Sequence, residues 1–230
     1  MAKTDEHFMV DEELLERICG YATLTEDDVV LEVGAGTGNL TEHLSRLAGT
    51  VFAVEKNTEF YGTLEERFTD SPNVHAIHGD ALKTDFPAFN KMVSNIPYSI
   101  SRRLVKKLIL HGFESAVLVV QKEFAEKLAA GAGDGNYRMI SALTQSTGEI
   151  ELLEKIPPES FEPPPKVWST AVRLLQQHKP TAEYAEFLNN LFNHRNKTIR
   201  NIITGYAGRH SDKRPYELSP TELMEIHSQL

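Results

Sequence analysis

LEVGAGTGNLTEHL, residues 31 to 44, decides the fold. It opens as an apolar, β-branched strand and closes as a helix, so Gly34, Gly36 and Gly38 fall in the turn between them. Residues without a Cβ at such a turn let a ligand approach the backbone N–H groups at the helix start. The dinucleotide fingerprint would put its third glycine at position 39, where this chain has Asn39, so the spacing argues against a pyrophosphate site and for another small-molecule cradle. A glycine-rich turn with a purely structural role is the plain alternative.

Outward from this turn, DVVLEV (28–33), TVFAVE (50–55), NVHAI (73–77), KMVSN (91–95) and SAVLVVQ (115–121) are short apolar runs separated by helix-like segments. The alternation predicts an α/β fold with a mostly parallel, Rossmann-like sheet. EIELLEKI (149–156) and VWSTAVRLL (167–175), joined by PPESFEPPPK, predict an antiparallel hairpin at one sheet edge. After Gln176 the pattern turns helical in AEYAEFLNNLF, NKTIRNIITGY and SPTELMEIHSQL, the last with Ser219 as N-cap and Pro220 at the first helical position. A boundary near 178 divides a catalytic domain, 1–178, from a small helical domain, 179–230.

The chain has 230 residues, 40% of them hydrophobic, and a net charge of −9. One cysteine, Cys19, excludes an intramolecular disulfide framework, and nine histidines are scattered rather than set at metal-ligand spacing, so no metal is invoked. The acidic N-terminus MAKTDEHFMVDEELL lacks a signal-peptide core, and no run approaches the roughly 20 apolar residues of a membrane span. The expectation is a soluble, cytoplasmic, monomeric protein. The acidic balance disfavours indiscriminate polyanion binding, but RRLVKK (102–107), RNKTIR (195–200) and GRHSDKR (208–214) are local basic patches able to meet phosphates.

The second strand ends in Glu55, 21 residues after Gly34, where a carboxylate can accept the hydroxyl protons of a ribose. HGDAL sets Asp80 just past the third strand, where it can accept from an adenine amino group; an Asx turn is its bland reading. A nucleoside held without phosphates beside a glycine turn points to S-adenosylmethionine, and the class to methyltransferase. At the fourth strand end stands NIPY. The Asn95 amide oxygen and a backbone carbonyl at Ile96 or Pro97 can grip the two hydrogens of an exocyclic amine, Pro97 fixes the turn, and Tyr98 can stack on a base. Its structural alternative is a strand-ending turn with a half-buried tyrosine.

With HFMVDEELLERI, EVGAGTGNLT, VEKN, HGDAL, NIPYSIS, QKEFAEKL, FEPPPKVWS and FNHRNKTIRN, the chain resembles the small-subunit rRNA adenine N6-dimethyltransferases over nearly its whole length, as an archaeal-like member. The resemblance implies a class I methyltransferase fold and S-adenosylmethionine as methyl donor. It puts His7 and Met9 over the cofactor, with Gly34, Gly36, Glu55, Asp80, Ala81 and Asn95 as further contacts. It implies that Asn95, Pro97 and Tyr98 serve the target adenine, and that Phe161, which opens FEPPPKVWS, closes on its other side.

The implied reaction is dimethylation of N6 on two adjacent adenosines near the 3′ end of small-subunit rRNA, in a partly assembled small subunit. EHFM stands where the family has QNFL, so an imidazole replaces an amide at position 7. After QKEFAEKL the glycine-rich AGAGDGNYRMIS suggests a mobile segment near the active site. Two alternatives stay open: a large-subunit rRNA adenine methyltransferase of the macrolide-resistance type, which shares NIPY, and a mainly noncatalytic ribosome assembly factor.

Overall fold

The computed structural model describes residues 6–230; residues 1–5, the start of the acidic N-terminal stretch, lie outside the described residues. Branched side chains pack well on a pleated, buried surface, which is why the Val- and Ile-rich runs become strands. In chain order the elements are β1 (Phe8–Met9), α1 (Glu12–Ala22), β2 (Val29–Val33), α2 (Asn39–Ser45), β3 (Thr50–Glu55), α3 (Thr58–Arg67) and β4 (Val74–His78). There follow β5 (Lys91–Asn95), α4 (Ser101–His111), β6 (Ser115–Gln121), α5 (Lys122–Ala129), α6 (Met139–Thr147), β7 (Gly148–Ile156), β8 (Phe161–Glu162) and β9 (Ser169–Gln176). The tail holds α7 (Ala182–Asn193), α8 (Ile199–Ile202) and α9 (Pro220–His227).

Seven strands form one sheet in the order β4-β3-β2-β5-β6-β9-β7. The first five are parallel; β9 runs antiparallel to β6 and pairs with β7, which closes the edge as the hairpin expectation required. From β2 the chain winds one way to β3 and β4 and then returns to β5 on the other side, so strand order reverses at β2. Crevices open beyond the carboxyl ends of strands at such a reversal. The glycine turn follows β2, so topology puts it there.

Local chemistry sets the helix ends. Asp11 caps α1 by accepting from Leu14 N–H, and Asn57 caps α3 by accepting from Glu59 and Phe60 N–H. Ser219 and Glu222 form a reciprocal capping box at α9, with Pro220 in its first turn.

Three expectations need correction. The link between β7 and β9 is more than a loop, because β8 within it pairs antiparallel with β1 and forms a separate two-stranded sheet. The helix expected across NKTIRNIITGY shrinks to the four residues of α8; Ile202, Ile203 and Thr204 are β-branched, and Gly205 takes a left-handed φ of 84°. Finally, the glycine-rich segment 130–138 is not at the active site. Gly133 N–H bonds Tyr216 O at 2.7 Å, and Tyr137 is fully buried edge-on against Phe192, so the segment is anchored to the tail while Gly131 to Asn136 stay exposed, and none of it lines the cavity at the carboxyl ends of β2, β3 and β5. Tyr184, Leu188, Leu191, Ile199, Leu223 and Ile226 of the tail share one hydrophobic cluster with Met139, Ile140 and Leu143 of α6.

Candidate active site

A cavity of about 450 Å³ lies at the carboxyl ends of β2, β3 and β5, under the strap formed by residues 6–9. Gly34, Gly36 and Gly38 all adopt positive φ, which a side chain would strain. A Cβ on Gly36 would sit 2.5 Å from the Phe8 ring, and one on Gly34 would sit 3.0 Å from Pro97. The bare glycine turn therefore admits the strap on one side and the β5 turn on the other. Asn39, standing where a dinucleotide site would have glycine, donates to Met9 O at 3.0 Å and holds the strap down.

Glu55 is buried at the end of β3 and lines the cavity. Gly36 N–H donates to one carboxylate oxygen at 2.8 Å and Asn57 N–H to the other at 2.7 Å. A carboxylate has about four acceptor positions, so both oxygens keep a lone pair for hydroxyl donors. Asp80 also lines the cavity; Leu82 N–H at 3.0 Å and Lys56 Nζ at 3.1 Å bond its two oxygens and hold its carboxyl below the usual range. The exposed ion pair itself contributes little to stability. Ala81 is buried against the cavity, and its carbonyl accepts from Lys107 Nζ at 2.8 Å. Lys107 also donates to Thr84 O and lies 4.0 Å over the Phe86 ring, which fixes the loop carrying Asp80 and Ala81.

At the end of β5, Asn95 donates through Nδ2 to His7 O at 2.7 Å, which leaves its Oδ1 as the acceptor. Pro97 O is taken by Ile100 N–H at 3.1 Å and Ser101 Oγ at 3.3 Å. Tyr98 is half-buried, its hydroxyl 2.5 Å from Ser169 Oγ, its ring centroid 5.5 Å from that of His7. His7 Nδ1 bonds Pro163 O at 2.7 Å. The imidazole thus ties the strap to the loop after β8. Met9 is buried and lines the cavity.

Phe161 departs from its expected place. Its register partner is Met9, it is 2% exposed, and it packs with Met9, Leu14 and Ile156 rather than lining the cavity. Pairing of β8 with β1 turns the ring into the core beneath the strap.

Phe8, Phe60 and Glu32 are among the lining residues that sequence reading did not single out. Phe8 packs edge-on to Phe60 at 5.1 Å, and their rings wall the cavity beside the glycine turn. Glu32 is 2% exposed; burial, and secondarily the Glu55 charge, push its carboxyl up to about 8 against a hydrogen bond from Thr41 Oγ1 at 2.6 Å. A lone acid inside the apolar run VVLEV was the available signal.

The lining fits S-adenosylmethionine: a glycine turn held at positive φ beside the cavity, carboxylates of Glu55 and Asp80 that keep acceptor positions for hydroxyl and amino hydrogens, and a buried acid, Glu32, beside them. Among the described residues no group of three or more His, Cys, Asp or Glu side chains is arranged to hold a metal ion.

The family profile "Ribosomal RNA adenine dimethylase" matches residues 2–224. A probable ribosomal RNA small subunit methyltransferase A from Methanococcoides burtonii is 38% identical over 96% of this chain and 90% of its own. Its counterpart from Thermococcus gammatolerans is 39% identical over 96% and 86%. Among solved structures, a dimethyladenosine transferase from Plasmodium falciparum superposes with a TM-score of 0.85 at 27% identity, covering 97% of both chains. The 23S rRNA methyltransferase ErmE gives 0.72 at 26% identity, covering 95% of this chain and 98% of its own. The chain belongs to the ribosomal RNA adenine dimethylase family and is an S-adenosylmethionine-dependent methyltransferase.

Proposed function

We propose that the protein dimethylates N6 of two adjacent adenosines near the 3′ end of small-subunit rRNA, in a partly assembled small subunit, as a cytoplasmic monomer. The observation that carries this reading is the convergence of Glu55, Asp80 and the 95–98 turn on one cavity. The names of the archaeal relatives support the small subunit as substrate.

When bound, S-adenosylmethionine supplies a methyl group on a positively charged sulfur. Glu55 would accept the ribose hydroxyls, Asp80 the adenine amino group, with Ala81 beside the ring and His7 and Met9 above. Asn95 Oδ1 is oriented by the bond its Nδ2 makes to His7, so it can accept one hydrogen of the target N6. Pro97 O is occupied, so the second acceptor is the Ile96 carbonyl. Two acceptors favour a tetrahedral nitrogen with its lone pair free to attack. Tyr98, held by Ser169, would stack on the target base. The proton can leave to solvent after the methyl is gained, so no general base is assigned. The tail, 179–230, with its basic stretches, would contact the RNA.

No described helix is long and apolar enough to cross a membrane. The likeness to the 23S enzyme favours a second reading, in which the target lies in the large subunit. Incubation with labelled methyl donor and unmethylated small subunits, large subunits or naked rRNA separates them. Label mapped to two adjacent adenosines of the small subunit is the expected result, and label confined to large-subunit RNA overturns it.

A further inference from the structure

The loop from Pro163 to Trp168 leaves β8 and enters β9, and each end is tied to a cavity-lining side chain. Pro163 O accepts from His7 Nδ1 at 2.7 Å, and Ser169 Oγ, next to Trp168, meets the Tyr98 hydroxyl at 2.5 Å. Three consecutive prolines, Pro163 to Pro165, restrict the loop backbone, and Lys122 N–H bonds Trp168 O at 3.0 Å. The loop is thus tied at both ends to His7 and Tyr98, which line the cavity. Yet Trp168, the only tryptophan in the chain, is 49% exposed, and Val167 beside it is 43% exposed. The Trp168 indole N–H has no hydrogen-bond partner among the described residues. Lys166 is exposed, and the Lys122 side chain is 45% exposed and only loosely paired with Glu126 at 3.8 Å.

A large aromatic surface left to water on a hydrogen-bonded backbone, with Lys166 two positions before it and Lys122 bonded through its main chain to the Trp168 carbonyl, matches an unpaired nucleotide: a base to cover the ring and a phosphate for the lysines. We infer that Trp168 is a stacking platform for an unpaired RNA base flanking the target adenosine. The inference rests on the reading above that the substrate is RNA. It assigns Trp168 to positioning the strand while Asn95 and Tyr98 hold the reacting base.

A single tryptophan makes the test direct. A short single-stranded rRNA fragment containing the target adenosines is titrated into the wild-type protein, and intrinsic fluorescence is followed alongside filter binding of the same RNA. Quenching that saturates with the binding curve is expected. Trp168→Ala should weaken RNA binding about tenfold and raise KM for RNA more than it lowers kcat, with cofactor affinity by calorimetry unchanged; Trp168→Phe should recover most of the loss. Unchanged fluorescence at saturation, or Trp168→Ala binding RNA like the wild type, overturns the inference while leaving methyl transfer to small subunits intact. A wild-type protein that methylates small subunits but does not bind the fragment overturns the inference alone, and one that neither binds the fragment nor methylates small subunits overturns the function and this inference together.

Discussion

The side-chain amide of Asn95 donates to the main-chain carbonyl of His7 at 2.7 Å, so one residue joins the strap over the cavity to the turn that faces the target. Asn95→Ala removes both the acceptor and the tie. Turnover should fall by at least about a hundredfold, while cofactor affinity should drop only by what one hydrogen bond contributes, about 0.5–1.5 kcal/mol. Single-turnover kinetics and calorimetric titration of the cofactor check the split; unchanged turnover removes Asn95 from its role.

Gly36 and Phe8 make a complementary pair, since the ring fills the space a Cβ would take and φ at Gly36 is 57°. Gly36→Ala should cost about 1–3 kcal/mol in backbone strain and weaken the cofactor more than tenfold by displacing the strap. Adding Phe8→Ala relieves the clash but not the strain. A double variant with no better cofactor affinity than Gly36→Ala alone would show that the strap contact is not what is lost.

Glu32 predicts a pH dependence. Its carboxyl lies near 8 in the folded protein, above the ordinary 4.5, because burial and then Glu55 disfavour its charge. Native protein therefore holds a proton that the unfolded chain has lost between these values. Its contribution is fully present below about pH 4.5 and is lost as pH rises through about 8, at up to ~1.4 kcal/mol per pH unit. Denaturant titrations across this window should show that decline, and Glu32→Gln should flatten it. A slope identical in both proteins would contradict the assignment.

Lys107 clasps the carbonyls of Ala81 and Thr84 and is itself held over Phe86. Lys107→Met should loosen the loop bearing Asp80 and raise KM for the cofactor several-fold with a smaller change in kcat. Lys107→Arg, which keeps a donor, should recover part of the loss.

Phe161 lies in the core beside Met9. Phe161→Leu, which removes ring atoms from a packed core, should lower stability by about 1–3 kcal/mol and leave kcat within about threefold. A folded variant whose kcat collapses would return the ring to the target base.

The succession of strands along the chain, the glycine turn and the acids at successive strand ends were legible in sequence because each is a short-range pattern: β-branched runs, missing Cβ atoms, and a single charge where an apolar run stops. Glu55, Asp80 and Asn95 could be placed on one rim because parallel strands share a carboxyl edge. What was not legible came from contacts distant along the chain. Phe161 looked available until β8 paired with a two-residue strand more than 150 positions earlier, and His7 became a fastener between strap and loop by the same pairing. The glycine-rich segment 130–138 looked close to the active site until Tyr137 was buried against the tail.

By itself, then, the sequence determined the sheet, its crevice and the chemical types around it, since hydrophobic period and turn chemistry act over a few residues. The tertiary structure alone decided which aromatic rings face the cavity, which face the core and which face water. Ring placement depends on strand partners and packing neighbours that no local window contains.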